Sequence, residues 1–302
     1  MRAITRRRFL GLGLRGCLAA ALPLPLMPRP ASAADGFDPD RLFVGEVLDY
    51  DITFWWFDRV GSISLRFQRL AAGGGYLAEA FGQTHGIIAF VTRYRHDRYR
   101  TFMTYDPAAG RLVPQRFEEE VVVGDELFRA VRTFDHRARK ILYQRAKDDG
   151  GTEDRIDDMP SPATADYLTA FYNFRAGAYG PVVQGRTVAV PTMPNQGTKE
   201  IVVNVLDQAA TERLRRQDRV DYPYYVDLFL DPKLLRSEKG QVQGWAGHDL
   251  VPEVGVIGRV FLFGDIKGWL MARRLGEPET TAAHMTPEIP PKRPVTRERF
   301  GT

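Results

Sequence analysis

The stretch SPATADYLTAFYNFRAGAYGP, residues 161–181, decides how the rest of this chain is arranged. Ser161 is typical of a helix N-cap, Pro162 suits the first helical position, and Gly177 can adopt the left-handed conformation that ends a helix. Between these residues the sequence is mostly apolar, apart from a narrow polar stripe of Asp166, Thr169 and Asn173. Because a helix that is apolar around most of its circumference is buried on most sides, we predict one central helix near residues 163–176.

The sequence on both sides of this helix is typical of antiparallel strands. Apolar and polar side chains alternate in residues 47–57, VLDYDITFWWF, and again in residues 63–68, so these two runs predict a hairpin with one buried face. Further strands are predicted at 76–84, 87–105, 112–123, 126–135 and 139–147 before the helix, and at 184–191, 198–207, 211–218, 220–230, 240–246 and 256–274 after it. Residues 148–161 are predicted to be an acidic connector, and Pro223 indicates an edge strand or a bulge.

Many short strands separated by turn residues favour a meander or barrel over a parallel sheet. We therefore predict a mostly β chain, in which a single curved antiparallel sheet, or open β-barrel, wraps around the one central α-helix. No interdomain linker is evident between Val44 and Leu275. Residues 34–276 are predicted to form a single β domain. Residues 277–302 contain five prolines and few large apolar residues, and they are predicted to be a disordered tail.

The N-terminal residues carry the features of an export signal. Residues 5–10, TRRRFL, are similar to a twin-arginine motif, and an apolar region from Cys17 to Met27 follows. The small residues at 31–33 suit a signal peptidase, so residues 1–33 are predicted to be a twin-arginine-type signal peptide that is cleaved after Ala33, and the mature chain is predicted to be periplasmic. The apolar region is too short and too rich in proline to span a bilayer, so no transmembrane segment is predicted in the mature chain.

Removal of this segment changes the charge balance of the chain. The full sequence has 42 Lys and Arg against 38 Asp and Glu, a net charge of +4. Six of the arginines and none of the acids lie in residues 1–33, which leaves 36 basic and 38 acidic side chains and a net charge of −2. The basic pI therefore belongs to the precursor, and nucleic-acid binding is not predicted.

The cysteine and histidine content excludes several kinds of site. Cys17 is the single cysteine and lies in the predicted signal, so the mature chain has no disulfide, thiolate metal site or iron–sulfur cluster. The five histidines lack the close spacing typical of zinc ligands. Neither a metal nor a cofactor is predicted.

Three stretches of the chain carry a family resemblance. The first is residues 44–51, VGEVLDYD, followed by a hairpin that contains Gly61; the second is residues 166–175, DYLTAFYNFR; the third is residues 245–252, WAGHDLVP, with Gly258 beyond it. In this order they resemble a family of exported bacterial proteins known as domain of unknown function 3108. The likeness extends over nearly the whole predicted mature chain.

The resemblance implies an exported, mostly antiparallel β fold, similar in shape to the half-barrels of periplasmic lipoprotein carriers. The family has no known activity that the resemblance could carry over to this chain. The chain departs from the family pattern at two places: the family usually has Ser where Thr169 stands, and it less often has the Gly-His pair formed here by Gly247 and His248.

Asp166 and Arg175 are the charged pair within the second motif. They are nine residues apart on the predicted helix, so they lie about half a turn apart and cannot touch each other. One hypothesis is that they line a ligand cavity together with Tyr167, Phe171 and Tyr172. The alternative is that they cap the helix and form buried hydrogen bonds that hold it inside the sheet.

The densest basic run is residues 93–100, RYRHDRYR. On a strand, Arg98 and Arg100 share one face, where they would bind an anionic headgroup or the carboxylates of a partner. The alternative is that they pair with acidic side chains such as Glu118 or Glu120 on an adjacent strand.

No complete catalytic site is evident in the sequence. His248 and Asp249 are neighbours, and neighbouring strand residues point to opposite faces, so a turn in which Asp249 accepts backbone hydrogen bonds is favoured over a catalytic dyad. No Gly-x-Ser-x-Gly motif accompanies them. Residues 118–120, EEE, have no identifiable partner carboxylate of the kind that a glycosidase uses.

These observations favour a non-enzymatic periplasmic protein that binds a hydrophobic or amphipathic envelope component, such as a lipid, or that supports envelope assembly. Two alternatives stay open: a hydrolase that acts on envelope glycan or lipid, and a scaffold that contacts an envelope protein partner through Trp55 and the tail. The sequence leaves open the ligand, the partner, the oligomeric state and any catalytic activity. It also leaves open whether the space between the helix and the sheet is filled.

Overall fold

The computed structural model describes residues 37–54, 57–71, 74–147, 150–195, 198–230, 237–260, 264–276 and 280–281. The predicted signal peptide, Trp55 and Trp56, and most of the predicted tail lie outside the described residues.

The described strands form one sheet. In chain order they are β1 (Glu46–Phe54), β2 (Phe57–Leu70), β3 (Tyr76–Thr84), β4 (His96–Asp106), β5 (Arg111–Val123), β6 (Glu126–Asp135), β7 (Lys140–Ala146), β8 (Thr152–Asp158), β9 (Thr187–Asn195), β10 (Thr198–Val205), β11 (Tyr224–Phe229), β12 (Gln241–Ala246), β13 (Pro252–Val260), β14 (Gly264–Leu275) and β15 (Thr280–Thr281). Their order across the sheet is β8-β7-β6-β5-β4-β3-β2-β1-β14-β13-β12-β11-β10-β9, with antiparallel neighbours throughout, while β15 pairs in parallel with β2. The sheet is nearly closed into a barrel, which confirms the predicted fold class.

The two ends of the sheet, β8 and β9, are linked by the segment that precedes the central helix. The backbone of Ala165 donates to the carbonyl of Pro191 and accepts from the N–H of Met193, so this segment pairs with the edge of β9. Met159 and Met193 pack in one apolar cluster with Phe134 and Ile141 of β6 and β7. Apolar side chains therefore make contact across the gap between β8 and β9, where the two ends of the sheet are not hydrogen-bonded to each other.

Four helices are described: α1 (Pro39–Leu42), α2 (Gly86–Val91), α3 (Tyr167–Arg175) and α4 (Gln208–Asp218). The central helix is α3, which packs against β3, β4, β5 and β9. It starts later than the predicted residue 163, and its N-cap is Asp166 instead of Ser161, because the residues just before Asp166 pair with β9. Gly177 has a φ of 72° and ends the helix as predicted. None of the described helices has both the length and the apolar character needed to span a bilayer.

Several predicted elements were wrong. Residues 211–218 belong to α4 because strong helix formers follow an Asp207 N-cap, whose carboxylate accepts from the N–H of Ala210. The predicted strand at 87–105 begins as α2, and the predicted strand at 256–274 is divided between β13 and β14. The acidic connector contains β8, and Pro223 precedes β11, which has a neighbour on each side and is not an edge strand.

Asp166 fixes the start of α3 and joins it to the sheet. It is fully buried. Its carboxylate accepts from the N–H groups of Leu168 and Thr169 at 2.9 and 3.0 Å and from the Thr169 hydroxyl at 2.6 Å. The hydroxyl of Thr101 on β4 donates a further bond at 2.7 Å. Burial raises the pKa of Asp166, and these hydrogen bonds oppose that shift.

Asn173 joins the middle of α3 to β5. Its Oδ1 accepts from the N–H of Leu112, and its Nδ2 donates to the carbonyl of the same residue, each at 2.8 Å. The side-chain amide thus satisfies both backbone groups of Leu112, as a neighbouring strand would.

Arg175 joins the end of α3 to β1 through a buried ion pair. Its two terminal nitrogens lie 2.6 and 2.8 Å from the carboxylate of Glu46, and the two side chains are 2% and 0% exposed. Arg273 on β14 lies 3.1 Å from the same carboxylate. Burial lowers the pKa of Arg175, but the bonds to Glu46 outweigh this and raise it above its usual value.

We expect Asp166→Ala to cost about 3 kcal/mol of unfolding free energy, because it removes an N-cap and leaves buried donors on α3 and β4 unpaired. Urea denaturation measures this cost. The control is Asp207→Ala, which removes the exposed N-cap of α4 and should cost about 1 kcal/mol. Equal losses in the two variants would contradict a role for Asp166 beyond capping.

We expect Arg175→Met to cost about 3 to 5 kcal/mol, since it leaves the buried carboxylate of Glu46 without its bidentate partner. The matched control is Arg100→Met, which breaks the more exposed pair with Glu118 and should cost at most about 1 kcal/mol. Chemical denaturation of both variants tests the difference, and a small effect of Arg175→Met would show that the pair does not hold the helix.

Candidate ligand cavity

An apolar cavity of about 460 Å³ lies between α3 and the strands β9 to β13. This volume is within the range of about 300 to 1,000 Å³ that is typical of small-molecule sites. The helix contributes Tyr167, Ala170, Phe171 and Phe174 to its wall. The space between the helix and this part of the sheet is therefore open.

The opposite side of α3 is filled by its own side chains and those of the sheet. Tyr172 is fully buried there, and its ring centroid lies 4.6 Å from that of Phe67 and 5.1 Å from that of Phe43. Leu168, Met103 and other apolar residues complete this cluster. On the cavity side, Ala170 packs with the valines and isoleucine of β9 and β10, and Tyr167 and Phe174 pack against the same cluster. The helix therefore contacts β9 and β10 at the edge of the cavity.

The far wall of the cavity consists of the inward-facing residues of β9 to β11. They alternate with outward-facing residues along each strand, as the pleat of a strand requires. They are Val190, Ile201, Val203, Val226, Leu228 and Leu230.

Gly244 and Gly255 belong to the cavity lining, and neither carries a side chain there. Gly244, Gly255 and Gly268 lie opposite one another on β12, β13 and β14, and Gly268 lies opposite Ile52 on β1. A Cβ atom at Gly255 would meet nothing within 4 Å, and one at Gly268 would meet the end of Ile52 at 3.4 Å. At Gly244 a Cβ would collide with the Val254 carbonyl, so this position requires glycine for backbone packing.

The described residues that line the cavity include no Asp, Glu, His, Lys, Arg, Ser, Thr or Cys. The hydroxyl-bearing rings of Tyr99 and Tyr167 supply polar side-chain atoms, whereas Gln243, the neighbour of the inward-facing Gly244, points its side chain to the other face of β12. Burial raises the pKa of Tyr99, so its hydroxyl is neutral at ordinary pH. Such a lining can hold apolar surface and donate or accept a few hydrogen bonds.

The predicted ligand residues are divided between three places. Tyr167 and Phe171 line the cavity, whereas Tyr172 faces the filled side of α3. Asp166 and Arg175 do not line the cavity, because their polar groups bond to the sheet, which matches the alternative interpretation of this pair.

Arg98 and Arg100 lie on the outer face of β4, since the residue between them, Tyr99, points into the cavity. Arg100 lies 2.7 Å from Glu118, as the alternative interpretation proposed. Arg98 lies 3.8 Å from Glu79, and its guanidinium is 5.6 Å from the ring centroid of Phe81.

His248 and Asp249 are exposed residues of a turn after β12. Asp249 accepts from the N–H of Val251 and forms an ion pair with Arg273. Within the described part of the chain, no group of three or more His, Cys, Asp or Glu residues is placed to hold a metal ion.

Sequence reasoning missed most of the cavity wall. The alternation in residues 198–207 and 220–230 marks the inward-facing side chains of β10 and β11, so these residues had a signal as core positions. Nothing in that pattern distinguishes a side chain that packs against a neighbour from one that faces open space.

No protein-family model matches the chain, and no curated protein matches it. Among solved structures, the chain is similar to a β-barrel-like protein of domain of unknown function DUF1849 from Brucella abortus, with 13% sequence identity and a TM-score of 0.40. The similarity covers 78% of this chain and 99% of that one.

Proposed function

We propose that this protein is a non-enzymatic binder of a hydrophobic or amphipathic molecule, which it holds in the cavity between α3 and β9 to β13. The observation that carries the proposal is an open space of about 460 Å³ walled by valine, leucine, isoleucine and aromatic side chains. Transfer of apolar ligand surface from water into such a space is favourable by about 25 cal/mol per Å².

The anchoring of α3 supports binding to a preformed site. Asp166 and Arg175 bond α3 to β4 and β1, and Ala165 just before the helix pairs with β9, so contacts within the chain fix the position of the helix beside the cavity. A site that exists before binding costs less conformational entropy to occupy, and more of the burial energy contributes to affinity.

The residues on the wall favour binding over the alternative of a hydrolase. General acid–base or nucleophilic chemistry needs a titratable or nucleophilic side chain within hydrogen-bonding reach of the substrate. The described lining residues supply tyrosine hydroxyls in that role. With the predicted export signal, the proposed ligand is a component of the cell envelope, such as a lipid.

We expect Gly255→Leu to weaken ligand binding at least tenfold, because the new side chain enters open space inside the cavity. The dissociation constant of the neutral hydrophobic dye N-phenyl-1-naphthylamine, followed by fluorescence, measures this effect. Thermal stability should be unchanged or higher, since the substitution fills a void without displacing backbone atoms.

The matched control is Val256→Leu, the next residue of β13, whose side chain points to the opposite face of the sheet. It should leave dye binding unchanged. Ala170→Leu fills the cavity from the helix side and should act like Gly255→Leu. Unaltered dye affinity in both cavity variants would refute the proposed site. Hydrolysis of a fatty acyl ester by the wild type that is lost in Gly255→Leu would support the hydrolase instead.

A further inference from the structure

Beside the cavity, the concave face of the sheet changes from apolar to rich in arginine. Phe117, which lines the cavity, lies opposite Arg132 on β6. Arg132 lies opposite Tyr143 on β7, and Tyr143 lies opposite Arg155 on β8. These four residues form a row across β5 to β8 in which aromatic and arginine side chains alternate; we name it the arginine–aromatic row.

The aromatic rings hold the guanidinium groups in place. The guanidinium carbon of Arg132 lies 4.8 Å from the ring centroid of Tyr143 and 5.9 Å from that of Phe117. The guanidinium of Arg155 lies 4.7 Å from the same Tyr143 ring. A cation over an aromatic face is stabilised by the ring quadrupole, and a planar guanidinium held in this way is preorganised to bind a carboxylate or phosphate.

The acidic neighbours of the row leave N–H donors available. The carboxylates of Glu119, Glu153 and Asp157 lie next to arginines of this region. Arg132 lies 3.4 Å from the carboxylate of Glu119. Arg145 stacks on the ring of Phe128 and lies 3.9 Å from the carboxylate of Glu153. Arg155 is bonded more closely, at 2.9 Å, to Asp157. A guanidinium has five N–H donors. The single long contact with Glu119 therefore leaves most N–H donors of Arg132 for another acceptor.

The position of Arg132 relates the row to the cavity. Its side chain is 13% exposed and contacts Phe117, a residue of the cavity wall. A ligand whose apolar part fills the cavity would therefore have its end near this guanidinium. In such a partly buried place an ionic hydrogen bond is stronger than in water.

We propose that the arginine–aromatic row binds the anionic end of the ligand, so that the ligand is an anionic amphiphile with a carboxylate or phosphate headgroup. The apolar part lies in the cavity, and the headgroup accepts hydrogen bonds from Arg132 and Arg155. This inference rests on the proposed function and names the chemical class of its ligand.

The experiment compares decanoate, decyl phosphate, 1-decanol and decylammonium as competitors of N-phenyl-1-naphthylamine on the full chain. Decanoate or decyl phosphate should bind at least tenfold more tightly than 1-decanol, and decylammonium more weakly than 1-decanol. Whichever of the two anions binds more tightly identifies the headgroup as carboxylate or phosphate. The preference for the anion should decrease as salt is added.

Arg132→Gln should abolish the preference for the anion while 1-decanol binds as before. Arg155→Gln, at a half-exposed position where folding is not at risk, should reduce the same preference. The matched control is Arg129→Gln, on the same strand as Arg132 but on the opposite face, where it is paired with Glu120 at 2.8 Å. It makes the same change of charge and should leave the preference intact.

Equal binding of decanoate, decyl phosphate and 1-decanol by the wild type would overturn the inference. It would also be overturned if Arg129→Gln reduced the preference for the anion as much as Arg132→Gln and Arg155→Gln do. If 1-decanol still competes with the dye in either case and Gly255→Leu abolishes its binding, the proposed function stands without the headgroup site. If neither the dye nor any competitor binds, the proposed function fails as well.

Discussion

The attachment of α3 to one half of the sheet is the constraint on which the rest of this structure depends. The helix has a narrow polar stripe, and each polar group on it must find a partner once it is buried. Asp166 finds it on β4, Asn173 on β5 and Arg175 on β1. All three partners lie on β1 to β5, while on its other side α3 contacts β9 and borders the cavity.

The cavity follows from that asymmetry together with the choice of side chains. Large rings fill the attached side, where Tyr172 packs against Phe43 and Phe67. The cavity side has Ala170 on the helix, beside the rings of Tyr167, Phe171 and Phe174, and the bare position of Gly255 on the sheet. A close-packed interior would need larger residues at these places, so the void is a product of the sequence and not of loose folding.

The same sheet provides two different surfaces next to each other. The strands after α3 contribute aliphatic side chains to the cavity, and the strands before it contribute the arginine–aromatic row. Phe117 belongs to both, since it lines the cavity and lies opposite Arg132. A surface that changes over one strand spacing from apolar side chains to guanidinium groups has the polarity of an amphiphile, which is why we connect the two regions in one ligand.

The sequence by itself determined the local structure of this protein. Alternating runs predicted most strands, the apolar stretch around Phe171 predicted the central helix, and Gly177 predicted its end, because these features depend on short-range periodicity and backbone preference. Tertiary structure decided the start of that helix, where Ala165 pairs with β9 and transfers the cap to Asp166. It also decided the strand register, which brings Gly255 beside Gly268 and Phe117 beside Arg132. Register and packing join residues that are far apart in the chain, and whether a side chain meets a neighbour or open space depends on both partners, which a one-dimensional pattern does not contain.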